Sequence, residues 1–363
     1  MSGPDTSNPS RSEPLSRDGT TLPAGGTHTE GIVPPAEALM QDPRAPARRR
    51  ATLAWLVIVV VALAAFPFLV TDPFSQQVVV MMLMYGALGA AWNLVGGFLG
   101  RVSFGHAVFL GVGAYTTLLL LQAWHLSPWL GIPLGGVIAA AVAFIVGRPT
   151  LRLTGHYFAM ATIALLSVAQ LLVVNWPWAG GATGVEAPIA DSAWMLLFRD
   201  KAPYYWIAFG LALLTLWATV ALARSKTGYY WRAINGDEAA ARSLGVPAER
   251  YKMWAFVLSA AITGVWGGFY AVYIGFIDPD SAFSLTLSIQ IVLVAILGGI
   301  GSLVGPWLGA AVLIPLGEGM RVALGSSGSG LDLLLYGLAI ILVSLFLPKG
   351  LITLRFRRGS AGS

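Results

Sequence analysis

The sequence predicts an all-α fold, a polytopic integral membrane bundle of about ten transmembrane helices, and three observations predict it. Hydrophobic residues make up 56% of the 363-residue chain and charged residues only 11%, against roughly 25% in a soluble domain. Mean hydropathy is +0.72, and apolar runs of spanning length recur along the chain. The cations cluster on one set of the connections between those runs. Cysteine is absent, which excludes disulfide frameworks, thiolate zinc sites and cysteine nucleophiles. The formal charge of +5 is a matter of cation placement about a membrane and implies no nucleic acid.

Residues 1–50 hold no long apolar run and are rich in Pro, Gly, Ser and Thr, so a disordered cytoplasmic tail is expected there. Its one directional feature is the cluster Arg48, Arg49, Arg50. The run 51–70 follows, too long and too far behind a polar tail for a cleaved signal peptide, and is expected as a retained first span. Further runs fall at 76–97, 102–122, 127–147, 157–174, 203–223, 253–276, 284–304, 306–322 and 331–347. The transmembrane domain therefore covers 51–352, and 353–363 form a C-terminal tail.

With Arg48 to Arg50 inside, the inner connections receive Arg101, Arg148 and Arg152, then Arg224, Lys226, Arg232, Arg242, Arg250 and Lys252, and finally Lys349, Arg355, Arg357 and Arg358. The outer ones hold Asp72, the pair Asp278 and Asp280, Arg199 and Lys201 offset by acids, and Arg321 near a boundary. The positive-inside rule then places both termini in the cytoplasm.

Two glycine-rich segments, GGFLGRVSFG from Gly96 and GGIGSLVGPW from Gly298, sit at or near inner turns and share a weak internal similarity. Glycine permits a tight turn, but it equally permits a broken or re-entrant helix whose freed backbone lines a substrate path. The candidate helix-break or translocation-path residues are Asn93, Gly96, Gly97, Gly100, Ser103, Gly105, His106, Gly298, Gly299 and Gly301. His106 lies a turn inside its span, where the imidazole can bond a facing carbonyl or a permeating solute. Asn93 and Gln290 can glue helices together. Glu318 and Arg321, three apart, share a helical face and can pair near the outer interface.

No G-x-x-x-x-G-K-[ST] phosphate loop, H-E-x-x-H or G-x-S-x-G occurs, so neither nucleotide binding, metalloprotease chemistry nor a serine elbow is written in the chain. No metal site and no acid, base and nucleophile constellation is apparent. The loop at 224–252 is the most informative polar stretch. Asn235 can cap a short helix, with Glu238 reaching back as in a capping box; Gly245 supplies a left-handed stop and Pro247 prevents continuation. Ala239, Ala240, Ala241 and Leu244 give it a methyl-lined face, ringed by Arg232, Arg242 and Arg250. A helix of two turns needs packing to hold it, against its own bundle or in a partner's groove.

Two stretches carry a family resemblance. One is Trp92-Asn93-Leu94-Val95-Gly96-Gly97-Phe98-Leu99-Gly100-Arg101-Val102-Ser103-Phe104-Gly105-His106-Ala107, continuing through Phe109, Gly111, Gly113, Ala114 and Tyr115. The other runs from Gly228 through Arg232-Ala233-Ile234, Asp237-Glu238-Ala239-Ala240-Ala241, Leu244-Gly245 and Tyr251-Lys252 to Ser259-Ala260, and is followed by Leu297-Gly298-Gly299-Ile300-Gly301-Ser302-Leu303-Val304-Gly305-Pro306. In order and spacing the chain resembles the LIV-type permeases, inner-membrane subunits of branched-chain amino-acid ABC importers, across residues 51–352.

The resemblance implies that the loop helix, with Asn235, Glu238, Ala240, Ala241, Leu244 and Gly245, is a coupling helix seated in a groove of a separate ATPase. The wider importer pattern E-A-A-x-x-x-G puts its glutamate at Ala239, with Glu238 one residue early. The resemblance further implies a second related permease, two ATP-binding subunits and a periplasmic solute-binding protein, assembled in lipid in a bacterial inner membrane. ATP and magnesium would sit on the ATPases, with no cofactor on this chain, which would be a transport subunit and no enzyme. Leu, Ile and Val are the expected solutes, with urea or short amides as the alternative. A free-standing channel or secondary transporter would place more charge at mid-membrane.

Overall fold

A computed structural model of the protein describes residues 58–70, 72–188, 192–198, 200–324 and 337. The expected N-terminal tail, most of the run 331–347 and the C-terminal tail lie outside the described residues, and the run 51–70 is described from Ile58.

The described chain is a succession of helices. A shorter apolar helix, α1 (Ile58–Leu69), precedes α2 (Pro73–Asn93), which starts where the Asp72 carboxylate accepts the Ser75 N–H at 2.9 Å and Pro73 presets the first turn. Next come α3 (His106–Trp124), α4 (Pro128–Thr150), opened by Ser127 and Pro128, and α5 (His156–Val174). The connection after α5 carries the short strand β1 (Val185–Glu186) and leads to α6 (Ala202–Arg224). The polar loop folds as two helices, α7 (Lys226–Gly236) and α8 (Glu238–Ser243). The long α9 (Ala248–Ile274) ends at the left-handed Gly275 and runs into β2 (Phe276–Ile277), which pairs antiparallel with β1. The one-turn α10 (Pro279–Ala282), α11 (Leu285–Gly298) and α12 (Gly305–Leu324) follow.

Seven of these segments are long and apolar enough to cross a membrane, and the fold is the expected all-α polytopic bundle. The expected count of about ten is an approximation. Among the described residues α12 carries Glu318 and Arg321, α1 is short, and the last expected span lies outside them.

Burial sorts the helices. In α2 83% of the spanning window is buried and in α5 only 17%, so α2 is the central post and α5 leaves most of its surface uncovered by the rest of the described chain. Small residues let α9 sit against α3 and α4: a Cβ on Gly113 would strike the Gly264 carbonyl, and one on Gly264 would strike Ala139.

The two glycine-rich junctions depart from simple turns. The helix α2 continues as a π-helical turn over Leu94–Phe98 and stops at Gly100, whose φ is +75°. The third span begins at His106 rather than at 102, because 101–105 are non-helical. The span expected over 284–304 ends as a helix at Gly298.

Candidate functional site

The two glycine segments meet. Asn93, at the end of α2 and 2% exposed, accepts the Gly301 N–H on its Oδ1 at 2.8 Å and donates from Nδ2 to the Ser302 carbonyl at 2.7 Å. A Cβ at Gly97 would overlap both Asn93 Oδ1 and Gly301 N, so the contact exists only because residue 97 has no side chain. Gly298 lies on the backbone of Gly305, and Gly299 closes α11 by donating to the Ala295 and Ile296 carbonyls. Gly96 lies against the Trp92 ring, whose Nε1–H holds the Ser103 carbonyl at 2.7 Å. Asn93 is therefore a clamp between the two glycine turns.

The polar loop is fastened to this clamp. Asn235 donates to the Gly97 carbonyl at 3.3 Å, and a Cβ on Gly100 would overlap the Asn235 amide. Asn235 is thus no N-cap. With Trp231 and Ile234 buried, α7 stays helical through Gly236, and the first extended residue is Asp237. Asp237 caps α8 instead, accepting the N–H groups of Ala239 and Ala240 at 2.8 and 3.0 Å.

The expected capping box does not form either, since Glu238 is occupied elsewhere. Its carboxylate bonds Arg101 at 2.9 Å, Arg242 at 2.6 Å and Lys252 at 2.9 Å. Lys252 is 2% exposed and also reaches Glu249 at 2.8 Å. Partial burial raises the Glu238 pKa, but the hydrogen bonds and charge of Lys252, with Arg242 and Arg101, outweigh it and hold the carboxyl down at about 2. Arg101 also donates to the Leu153 carbonyl at 2.9 Å, so one carboxylate ties α8 to α9 and to the connections after α2 and α4. Sequence reasoning missed Arg101 and Lys252 as its partners.

At the far end of α8, Gly245 takes φ +85°, donating to the Arg242 carbonyl while Val246 donates to Ala241, the left-handed stop that its position suggested. Of the methyl-lined face, Ala241 is buried, whereas Ala239, Ala240 and Leu244 are exposed. Leu244 is 85% exposed, an aliphatic tip facing away from the bundle.

His106, fully buried, bonds Ser259 Oγ through Nε2 at 2.8 Å. Ser259 donates its own hydrogen to the Ala91 carbonyl at 2.7 Å, so Nε2 carries the imidazole proton and Nδ1 is left without a partner among the described residues. His106 thus joins α3 to α9 through this bond. Ser103 is also fully buried and accepts the Gly105 N–H at 3.3 Å; Gly105 approaches Thr162, and Ser288 accepts the Ala107 N–H at 3.0 Å.

The opposite half of the bundle is different. A cavity of about 440 Å³ opens there between α2, α9, α11 and α12. Its polar lining is Gln77, Tyr85, Tyr270, Gln290, Glu318 and Arg321, and its apolar wall includes Met81, Ile274, Leu313 and Ile314. Tyr85 donates to Gln290 Oε1 at 2.8 Å across the floor, and Arg321 and Glu318 stand 4.0 Å apart at the wall. No group of three His, Asp or Glu able to hold a metal occurs among the described residues.

Comparison with known proteins agrees with this architecture. A profile of the family described as branched-chain amino acid transport system / permease component matches residues 75–344. The high-affinity branched-chain amino acid transport system permease protein LivM of Salmonella typhimurium is 30% identical over 82% of this chain and 74% of its own length. LivH of Escherichia coli K12, a permease protein of the same kind of system, is 27% identical over 74% of this chain and 91% of its own. The autoinducer 2 import system permease protein LsrC of Klebsiella pneumoniae is 29% identical over 45% of this chain and 46% of its own. No solved structure matches. The chain belongs to the branched-chain amino acid transport system permease component family, the LIV-type permeases of ABC importers.

Proposed function

We propose that this chain carries branched-chain amino acids inward across a bacterial inner membrane, as one of two permeases in an importer driven by ATP. The observation that carries the reading is the direct tie between the polar loop and the inner break of α2, through Asn235 to Gly97 and Glu238 to Arg101. Two ATP-binding subunits bind the nucleotide and magnesium, and their closure pushes on α8 at the exposed Leu244. The push passes through Glu238 and Asn235 to the Asn93 clamp, whose release opens the inner end. A periplasmic binding protein delivers the solute to the outer side. This chain carries out no hydrolysis, holds no cofactor, and keeps both termini in the cytoplasm, as its cation distribution favours.

LivM and LivH support aliphatic amino acids over urea as the solute. The outer cavity fits such a solute chemically. Arg321 can take the α-carboxylate and Glu318 the α-ammonium, while Met81, Leu313 and Ile314 take the aliphatic side chain.

The test is uptake of labelled leucine by cells with and without this chain, against excess unlabelled valine or urea. Loss of a valine-sensitive, urea-insensitive component on deletion is expected. Leucine uptake that survives deletion unchanged would overturn the substrate assignment.

A further inference from the structure

At the inner end of the bundle a second cavity, about 680 Å³, lies between α4 and α9. Its rim carries Arg148, Arg152 and Arg250, and its wall is made by Phe144, Met253 and Trp254 among other apolar residues. None of these three arginines forms an ion pair among the described residues, although Arg101, Arg242 and Lys252 of the neighbouring connections are all neutralised. The Arg148 guanidinium rests instead 4.8 Å above the Phe144 ring. Glu249 also borders the cavity, but Arg242 and Lys252 hold its carboxylate at 2.6 and 2.8 Å.

We infer that this cavity binds an anionic phospholipid of the cytoplasmic leaflet, its phosphate held by Arg148, Arg152 and Arg250 and its acyl chain laid along the Phe144, Met253 and Trp254 wall. Charge complementarity and depth both select this occupant. Three uncompensated guanidiniums stand where α4 ends and α9 begins, the level at which the headgroups of a negatively charged leaflet lie. Guanidinium forks match phosphate oxygens two at a time. The wall below them is apolar and faces outward, with Phe144 45% and Trp254 51% exposed, which suits hydrocarbon and not water. Tryptophan at that depth is an interfacial anchor. Glu249, shared between this cavity and the Lys252 cluster, places the lipid one ion pair from the loop that holds α8.

The experiment uses the full chain purified in detergent and incubated with equimolar phosphatidylglycerol and phosphatidylcholine, with retained lipid read by native mass spectrometry. The wild type should retain phosphatidylglycerol preferentially. The triple substitution Arg148→Gln, Arg152→Gln and Arg250→Gln should lower that preference by tenfold to about a hundredfold. All three side chains are exposed, so its melting temperature should be unchanged; should the triple variant fail to fold, the single variants Arg152→Gln and Arg250→Gln should each give a partial loss. Equal retention of the two lipids by the wild type, or unchanged retention by the variants, would overturn the assignment. Displacement of the lipid by millimolar inorganic phosphate would overturn it in favour of a free anion. Loss of ATPase co-purification with lipid retention intact would overturn it in favour of a protein contact.

Discussion

The two ends of α2 are surrounded by similar polar residues put to opposite uses. Asn93, Asn235, Glu238, Arg101 and Lys252 at its C-terminal end are tied to one another or to backbone, and glycines bring two turns into contact there. Toward its N-terminal end Gln77, Glu318 and Arg321 line an open cavity, with Glu318 and Arg321 in a loose 4.0 Å pair. Saturated polar networks rigidify, whereas loosely engaged groups on a cavity wall can exchange their partners for a solute. One end of α2 is thus latched by its own bonds, and the other stays open around a polar cavity.

The sharpest way to break the latch is Gly97→Val. Its side chain has no room beside Asn93 and Gly301, and overpacking of this kind costs about 3 kcal/mol, a figure that should register as a large fall in melting temperature in detergent and as lost uptake. A variant that melts like the wild type would mean the two glycine turns are not in contact.

Glu238→Gln comes next, at about 2 kcal/mol, because Lys252 keeps Glu249 as a second partner and the site is only partly buried. The effect has a direction in pH. A carboxyl held at about 2 against an ordinary value of 4.5 stabilises the fold fully above 4.5, and that contribution is lost as pH falls through the interval to about 2. The melting-temperature gap between wild type and Glu238→Gln should therefore close across that interval, and a gap that stays constant would dissociate Glu238 from its three cations.

Gly245→Val should cost about 1–2 kcal/mol, since a β-branched residue resists φ of +85°. Unchanged amide exchange in α8 would contradict that. Leu244→Ala is the smallest, within about 0.5 kcal/mol for folding because the side chain is exposed. It should nevertheless weaken retention of the ATP-binding subunits by about 1–3 kcal/mol on pull-down, and normal retention would remove Leu244 from the docking surface.

Much of this was legible in the sequence. Composition and apolar runs point to the bundle, and glycine spacing marks where two helices are interrupted without deciding between a tight turn and a break, because both are local properties of the chain. Gly245 announced its own left-handed stop. The N-cap was misread because Asn235 and Asp237 are both good capping residues, and what decides between them is the burial of Trp231 and Ile234, a tertiary fact. The cations around Glu238 were invisible for a related reason. Arg101 lies 137 residues from Glu238 along the chain, and no periodicity links them. Nor does pattern alone tell that Gln290 pairs with Tyr85 on the floor of a cavity.

The most direct measurement is the number of leucine molecules transported per ATP hydrolysed, in liposomes holding the whole importer with either wild-type chain or Glu238→Gln. If α8 transmits closure through Glu238 to the inner break of α2, hydrolysis continues in the variant while leucine per ATP falls severalfold. An unchanged ratio would contradict coupling through this carboxylate.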